Sequence, residues 1–189
     1  MNIFFREMKA HRKSLLIWCA GIFFMVYAGM AKYAALSPSG QSINDIMSKM
    51  PKSIQAISGV GTFDLSKASG FYGLLYLYLA VMAAIHASML GADIISKEER
   101  DKTTEFLFAK PVSRSGIITS KLLAGLVNVI IFNIVTLLFS ISAVRYFGKG
   151  ENVNEDIMVL MGGMFMLQLI FLNMGAGIAA LNDTEHILQ

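Results

Sequence analysis

Side chains able to do chemistry are sparse in this sequence, and their placement sets several chemistries aside. The histidines, His11, His86 and His186, are dispersed, so neither a metal site nor a nucleophile with its base can be assembled from their spacing. No G-x-x-x-x-G-K-[ST] phosphate loop is present. The glycine pairs Gly59/Gly61 and Gly162/Gly163 lack the lysine that would reach a phosphate and the strand-to-helix context that would present it. Cys19 stands alone, which rules out a disulfide within the chain. One stretch is dense in charge: Glu98, Glu99, Arg100, Asp101, Lys102 and Glu105 fall within eight residues. Such a stretch offers no reacting atoms. It offers a charged surface for another protein to grip.

A second set of polar groups lies inside apolar sequence. His86 is the only acidic or basic side chain of its stretch before Asp93, and Asn128, Asn133, Gln168 and Asn173 occupy similar settings. Polar groups at membrane depth face protein or water, so these residues suit either a translocation path or hydrogen bonds between helices.

The elements that must position both sets follow from composition. Of 189 residues, 55% are hydrophobic and 15% charged, against about 25% charged in an ordinary soluble domain. The charges cluster, leaving uncharged stretches at Ser14 to Ala31, Ala68 to Ala92, Leu122 to Val144 and Ile157 to Asn182. At about 1.5 Å per helical residue, roughly 20 residues cross a hydrocarbon core of about 30 Å. Backbone amides in lipid must be satisfied within their own segment, so the stretches are read as helices. The expected fold is an all-α integral membrane protein with four transmembrane helices. An N-terminal interfacial helix, an external amphipathic helix and a cytoplasmic coupling-type helix complete it.

The chain divides accordingly into an interfacial leader at 1–13, spans at 14–36, 71–95, 115–144 and 155–182, and a short tail at 183–189. The leader sets Ile3, Phe4, Phe5 and Met8 beside Arg6, Lys9, Arg12 and Lys13, which suits a helix lying among lipid headgroups. Between the first two spans, residues 37–70 hold Ile43, Ile46, Met47, Met50, Ile54 and Ile57 at helical spacing, with Ser42 and Asp45 as a capping start and Pro51 as a kink. A second external loop spans 145–154. Lys and Arg number ten in the leader and in Lys97 to Lys121, and six in the remaining loops, which places the N-terminus in the cytoplasm. The net charge of +3 is explained by this orientation rather than by nucleic acid. In the second span, Ala83, Ala87 and Gly91 share one face and Ala80, Ala84 and Ser88 the next, a surface suited to close helix packing.

The segment 96–114 then joins the second and third spans on the cytoplasmic side. Glu98 and Lys102 are four apart in the favourable order for a helical ion pair, and Pro111 stops the helix. The run Glu98-Glu99-Arg100-Asp101-Lys102-Thr103-Thr104-Glu105-Phe106-Leu107, followed by Lys110-Pro111-Val112-Ser113-Arg114 and then Lys121, resembles a signature of ABC-2 type permeases. These are the membrane subunits of ATP-binding-cassette exporters. In that family the segment resembles a coupling helix that docks into a groove on a separate ATPase. The resemblance implies that Glu98, Glu99, Thr104, Glu105, Pro111 and Arg114 make that contact. It extends to the leader, the external loop and the span order. Two departures stand out: Thr103 occupies a position where many relatives have glycine, and relatives typically carry six spans where four are read here, which implies a truncated or reduced member.

The resemblance implies a non-enzymatic permease subunit with no cofactor of its own, ATP and Mg being bound by the partner ATPase. A second permease chain, identical or not, would complete the path through the cell membrane for a hydrophobic or amphipathic substrate, most simply outward. A membrane scaffold or regulatory subunit that binds the ATPase without forming a path is the alternative. An intramembrane enzyme would need paired catalytic groups, and His86 alone does not supply them.

Overall fold

The structure, a computed structural model, describes residues 3–36, 49, 51–52, 65, 67–100, 114–148 and 150–187. Among them are four helices and no strand: α1 (Ile3–Leu36), α2 (Ala68–Arg100), α3 (Arg114–Phe147) and α4 (Asn154–Ile187). All four are long and apolar enough to cross a membrane. The 34 residues of α1 rise about 50 Å, more than a hydrocarbon core, so helix continues past the lipid-compatible portion. Large apolar side chains stand outward along them; Ile17 is 72% exposed, Val159 76% and Ile178 64%. Such faces are costly in water and at ease against acyl chains.

The helices run beyond the bounds expected from the charge-free stretches. The leader is helical from Ile3 and passes without a break into the first span. Residues 96–100, expected to open the cytoplasmic segment, extend α2 to Arg100, and the expected tail continues α4 to Ile187. Once a helix is nucleated, each further residue adds a hydrogen bond at little cost, and no proline intervenes at these places to stop it. Most of the external helix expected within 37–70 lies outside the described residues, as do residues 101–113.

Two compact units divide the residues, and each takes part of every helix. The first comprises Met1–Trp18, Met82–Asn133 and Met164–Gln189. Its core is Ala87, Leu90, Ile94, Val129 and Leu172, with Ile95, Phe165 and Phe171 packed around them. In this unit α1 and α2 run antiparallel, because Glu7 meets Lys97, His11 meets Asp93 and Trp18 meets His86. Helices α2 and α4 approach closely where Gly91 lies against the backbone of Leu172 and Gly175 against that of Ser88. Side chains larger than hydrogen at either glycine would hold the helices apart.

The second unit comprises Cys19–Val81 and Ile134–Gly163. Aromatic rings fill it: Phe23 packs edge-on to Phe139 at 5.2 Å, and Tyr33 lies 5.4 Å from Phe71. Buried Tyr72 donates to Ser140 Oγ at 2.7 Å, and the Tyr27 and Ser142 hydroxyls are also 2.7 Å apart. Glu151 accepts from the Ala68 amide at 2.9 Å, satisfying a donor that the first turn of α2 cannot use itself. Its negative charge also suits the positive end of that helix.

Candidate functional site

The first unit contains a cluster of charged groups built by helical spacing. Glu7 and His11 are four residues apart on α1, and Asp93 and Lys97 are four apart on α2, so each pair shares a helix face. Antiparallel packing sets one pair against the other. Glu7 is fully buried. Arg6 Nη2 donates to its Oε1 at 3.2 Å and Lys97 Nζ to its Oε2 at 3.4 Å. His11 stands between the two carboxylates, with Nε2 at 3.5 Å from Glu7 Oε2 and Nδ1 at 3.5 Å from Asp93 Oδ2. From α3, buried Lys121 donates to the Ile94 carbonyl at 2.7 Å. A carboxylate withdrawn from water is costly unless cations and donors surround it. Here they come from α1 itself, from α2 and from Lys121 of α3, which also ties α3 to α2 through the Ile94 carbonyl.

Beside the cluster is a cavity of about 420 Å³. Trp18, Met89 and Leu90 supply its apolar lining, and His11, His86, Ser14, Ser96 and Asp93 its polar lining. His86 is 3% exposed. Its ring stacks on Phe132, with centroids 4.6 Å apart and 20° between planes, and Trp18 lies 5.5 Å away. Among the described residues its Nδ1 makes no hydrogen bond. His11 and His86, far apart in sequence, thus line one cavity. No group of three or more His, Cys, Asp or Glu among the described residues could hold a metal ion.

The residues singled out from sequence are distributed as follows. Glu98 and Glu99 lie on the last turn of α2 and Arg114 begins α3, while Thr104, Glu105 and Pro111 are outside the described residues. Asn133 donates to Gln168 at 2.8 Å, joining α3 to α4. Asn128 donates to the Ala124 carbonyl at 2.9 Å and contacts Met8 Sδ at 3.3 Å. Asn173 bonds its own helix at Leu169 and is exposed. Of these, only His86 lines the cavity. Sequence reasoning passed over Glu7, Asp93, Lys97 and Lys121 as members of a buried cluster, although the two i,i+4 pairings were a signal for it.

Four helices long and apolar enough to cross a membrane agree with the spans read from the sequence. A family model described as ABC-2 family transporter protein matches residues 1–186. The chain belongs to the ABC-2 transporter family. As a member it is a multi-pass permease component of an ABC transporter and not itself the catalytic part. No curated protein and no solved structure matches this permease. The match takes in the leader that carries Glu7 and His11, the charge-dense stretch, and all but the end of α4.

Proposed function

We propose that this permease is one membrane half of an exporter for hydrophobic or amphipathic substrates, driven by ATP hydrolysis in a separate nucleotide-binding subunit. A second permease chain completes the path, and the N-terminus lies in the cytoplasm of a cell whose plasma membrane the helices cross. The observation that carries this reading is the family match over residues 1–186, which includes the charge-dense stretch leaving α2 at Arg100 and entering α3 at Arg114. Glu98, Glu99, Thr104, Glu105, Pro111 and Arg114 form the ATPase contact. ATP and Mg are held by the ATPase and none of this chain's residues touches them.

Force applied to that stretch enters α2 at its last turn. A short way along the helix, Lys97 and Asp93 join α2 to α1 through Glu7 and His11, and the Ile94 carbonyl joins it to Lys121 of α3. Close-packed, hydrogen-bonded helices move as bodies rather than deforming continuously. ATPase closure therefore shifts these helix ends together. Charge reversal tests the docking: Glu98→Lys with Glu105→Lys should cut copurification of the ATPase at least tenfold and abolish ATP-dependent efflux from vesicles. Undiminished recruitment and flux in that double variant would remove the proposed contact. Retained recruitment by the unaltered chain without any flux would favour a scaffold.

A further inference from the structure

The permease assignment leaves the cavity of the first unit without a role. Trp18, Met89 and Leu90 give its wall an indole, a thioether and a branched alkyl group, and His86 adds an imidazole. The charged groups at its edge are engaged with one another. Glu7 is held by Arg6 at 3.2 Å and by Lys97 at 3.4 Å, while Asp93 meets His11 at 3.5 Å and makes a further contact besides. An ion entering would give up its hydration and find each opposite charge already matched, which makes its burial costly. The wall therefore favours a molecule that is uncharged and mostly apolar.

His86 specifies the polar part of that molecule. The residue is almost wholly withdrawn from solvent and its ring lies flat on Phe132, yet Nδ1 makes no hydrogen bond among the described residues. Buried polar atoms are rarely left so. A neutral imidazole has one nitrogen that donates and one that accepts, and a hydroxyl can do either, so a hydroxyl suits Nδ1 in both tautomers. The Trp18 ring lies 5.5 Å from that of His86, so an aromatic body carrying the hydroxyl has an indole to pack on. The volume of about 420 Å³ falls within the range of roughly 300–1,000 Å³ common for small-molecule sites.

From these features we infer that the cavity binds an uncharged phenol or other aromatic alcohol, its hydroxyl on His86 and its apolar body against Trp18, Met89 and Leu90. Binding there requires neither the ATPase nor transport, so failure of docking and failure of this site give different results.

Trp18 is the only tryptophan of the chain, so its emission, excited at the red edge of the indole band, reports on the cavity without a label. The full chain in lipid nanodiscs is titrated with thymol and, separately, with para-cymene, with each concentration expressed as that in the bilayer. The two share one isopropyl-methylbenzene body and differ by the hydroxyl. Two ions of similar bulk, phenyltrimethylammonium and para-isopropylbenzoate, complete the series. The expected result is a saturable emission change with thymol, a Kd at least tenfold weaker for para-cymene, and no saturation by either ion over the same range. His86→Phe keeps a flat ring against Phe132 and removes the ring nitrogens; it should weaken the thymol Kd at least tenfold and leave that of para-cymene unchanged. A smaller difference between thymol and para-cymene, an ion that saturates as tightly as thymol, or no saturation by thymol would overturn the inference. So would an unchanged thymol Kd in His86→Phe. The four-ligand comparison on the unaltered protein decides the matter even if the phenylalanine variant fails to fold.

Discussion

Replacing Gly91 with alanine should be far more damaging than the addition of one methyl group suggests. A Cβ built there collides with the Leu172 carbonyl oxygen and comes within 3.0 Å of the Ala176 nitrogen. Both obstacles are backbone of α4, and neither can rotate away. Carbon contacts settle at about 3.5–4.0 Å, so the two helices must part by more than about 1 Å, and a gap of that size forfeits about half or more of each affected dispersion contact. Overpacked cores lose about 1–3 kcal/mol, and a rigid obstacle puts this site at the upper end. Alanine recovers about 0.5–1 kcal/mol of helix propensity, leaving a net loss of about 2 kcal/mol. For a chain of this size that is a fall in Tm of about 4–8 °C. Gly175→Ala meets the Ser88 backbone, with its Cα at 3.1 Å, and should behave alike. At Gly162 and Gly177 an added methyl group would have nothing within 4 Å, so their alanine variants should be neutral or slightly stabilising. Thermal denaturation of the four variants in one detergent reads the comparison. Equal Tm values for Gly91→Ala and Gly177→Ala would refute the close crossing of α2 and α4.

The buried polar groups yield further predictions. Glu7→Gln and Lys97→Met should each destabilise by about 2 kcal/mol, because each leaves a largely buried charge with fewer partners. Their double variant should lose less than the sum by at least about 1 kcal/mol, and strict additivity in denaturation would show that the pair does not interact. Asn133→Leu should cost about 1–3 kcal/mol by stranding the buried Gln168 amide, whereas Asn133→Leu with Gln168→Leu should approach the unaltered stability. A double variant less stable than Asn133→Leu alone would contradict that assignment.

Much of the fold was legible because lipid imposes a simple rule: residues facing hydrocarbon must lack charge, and their amides must bond within a helix. The uncharged stretches at 14–31, 68–92, 122–144 and 157–182 therefore fall within α1 to α4. The rule says nothing about where helix ends, so Lys97 and Glu98 continue α2 although they carry charge. Nor does it report helix register. Glu7 sits among leader cations that suggest solvent or headgroups, and only the antiparallel pairing of α1 with α2 reveals that it is buried beside Lys97. His11 and His86 reach one cavity for the same reason. The charge-dense run from Glu98 to Arg114 is proposed as a docking surface on resemblance alone, since charge density by itself fits a solvated connector equally well.

The proposed mechanism centres on a membrane lever that a nucleotide-binding partner would move through residues 98–114. The most direct measurement is the mass and composition of the complex extracted by gentle detergent from native membranes. Two permease chains with two ATP-binding chains, the latter lost on charge reversal at Glu98 and Glu105, is the predicted result. Recovery of the chain from the aqueous fraction without detergent, or from membranes with no ATP-binding chain attached, would contradict it.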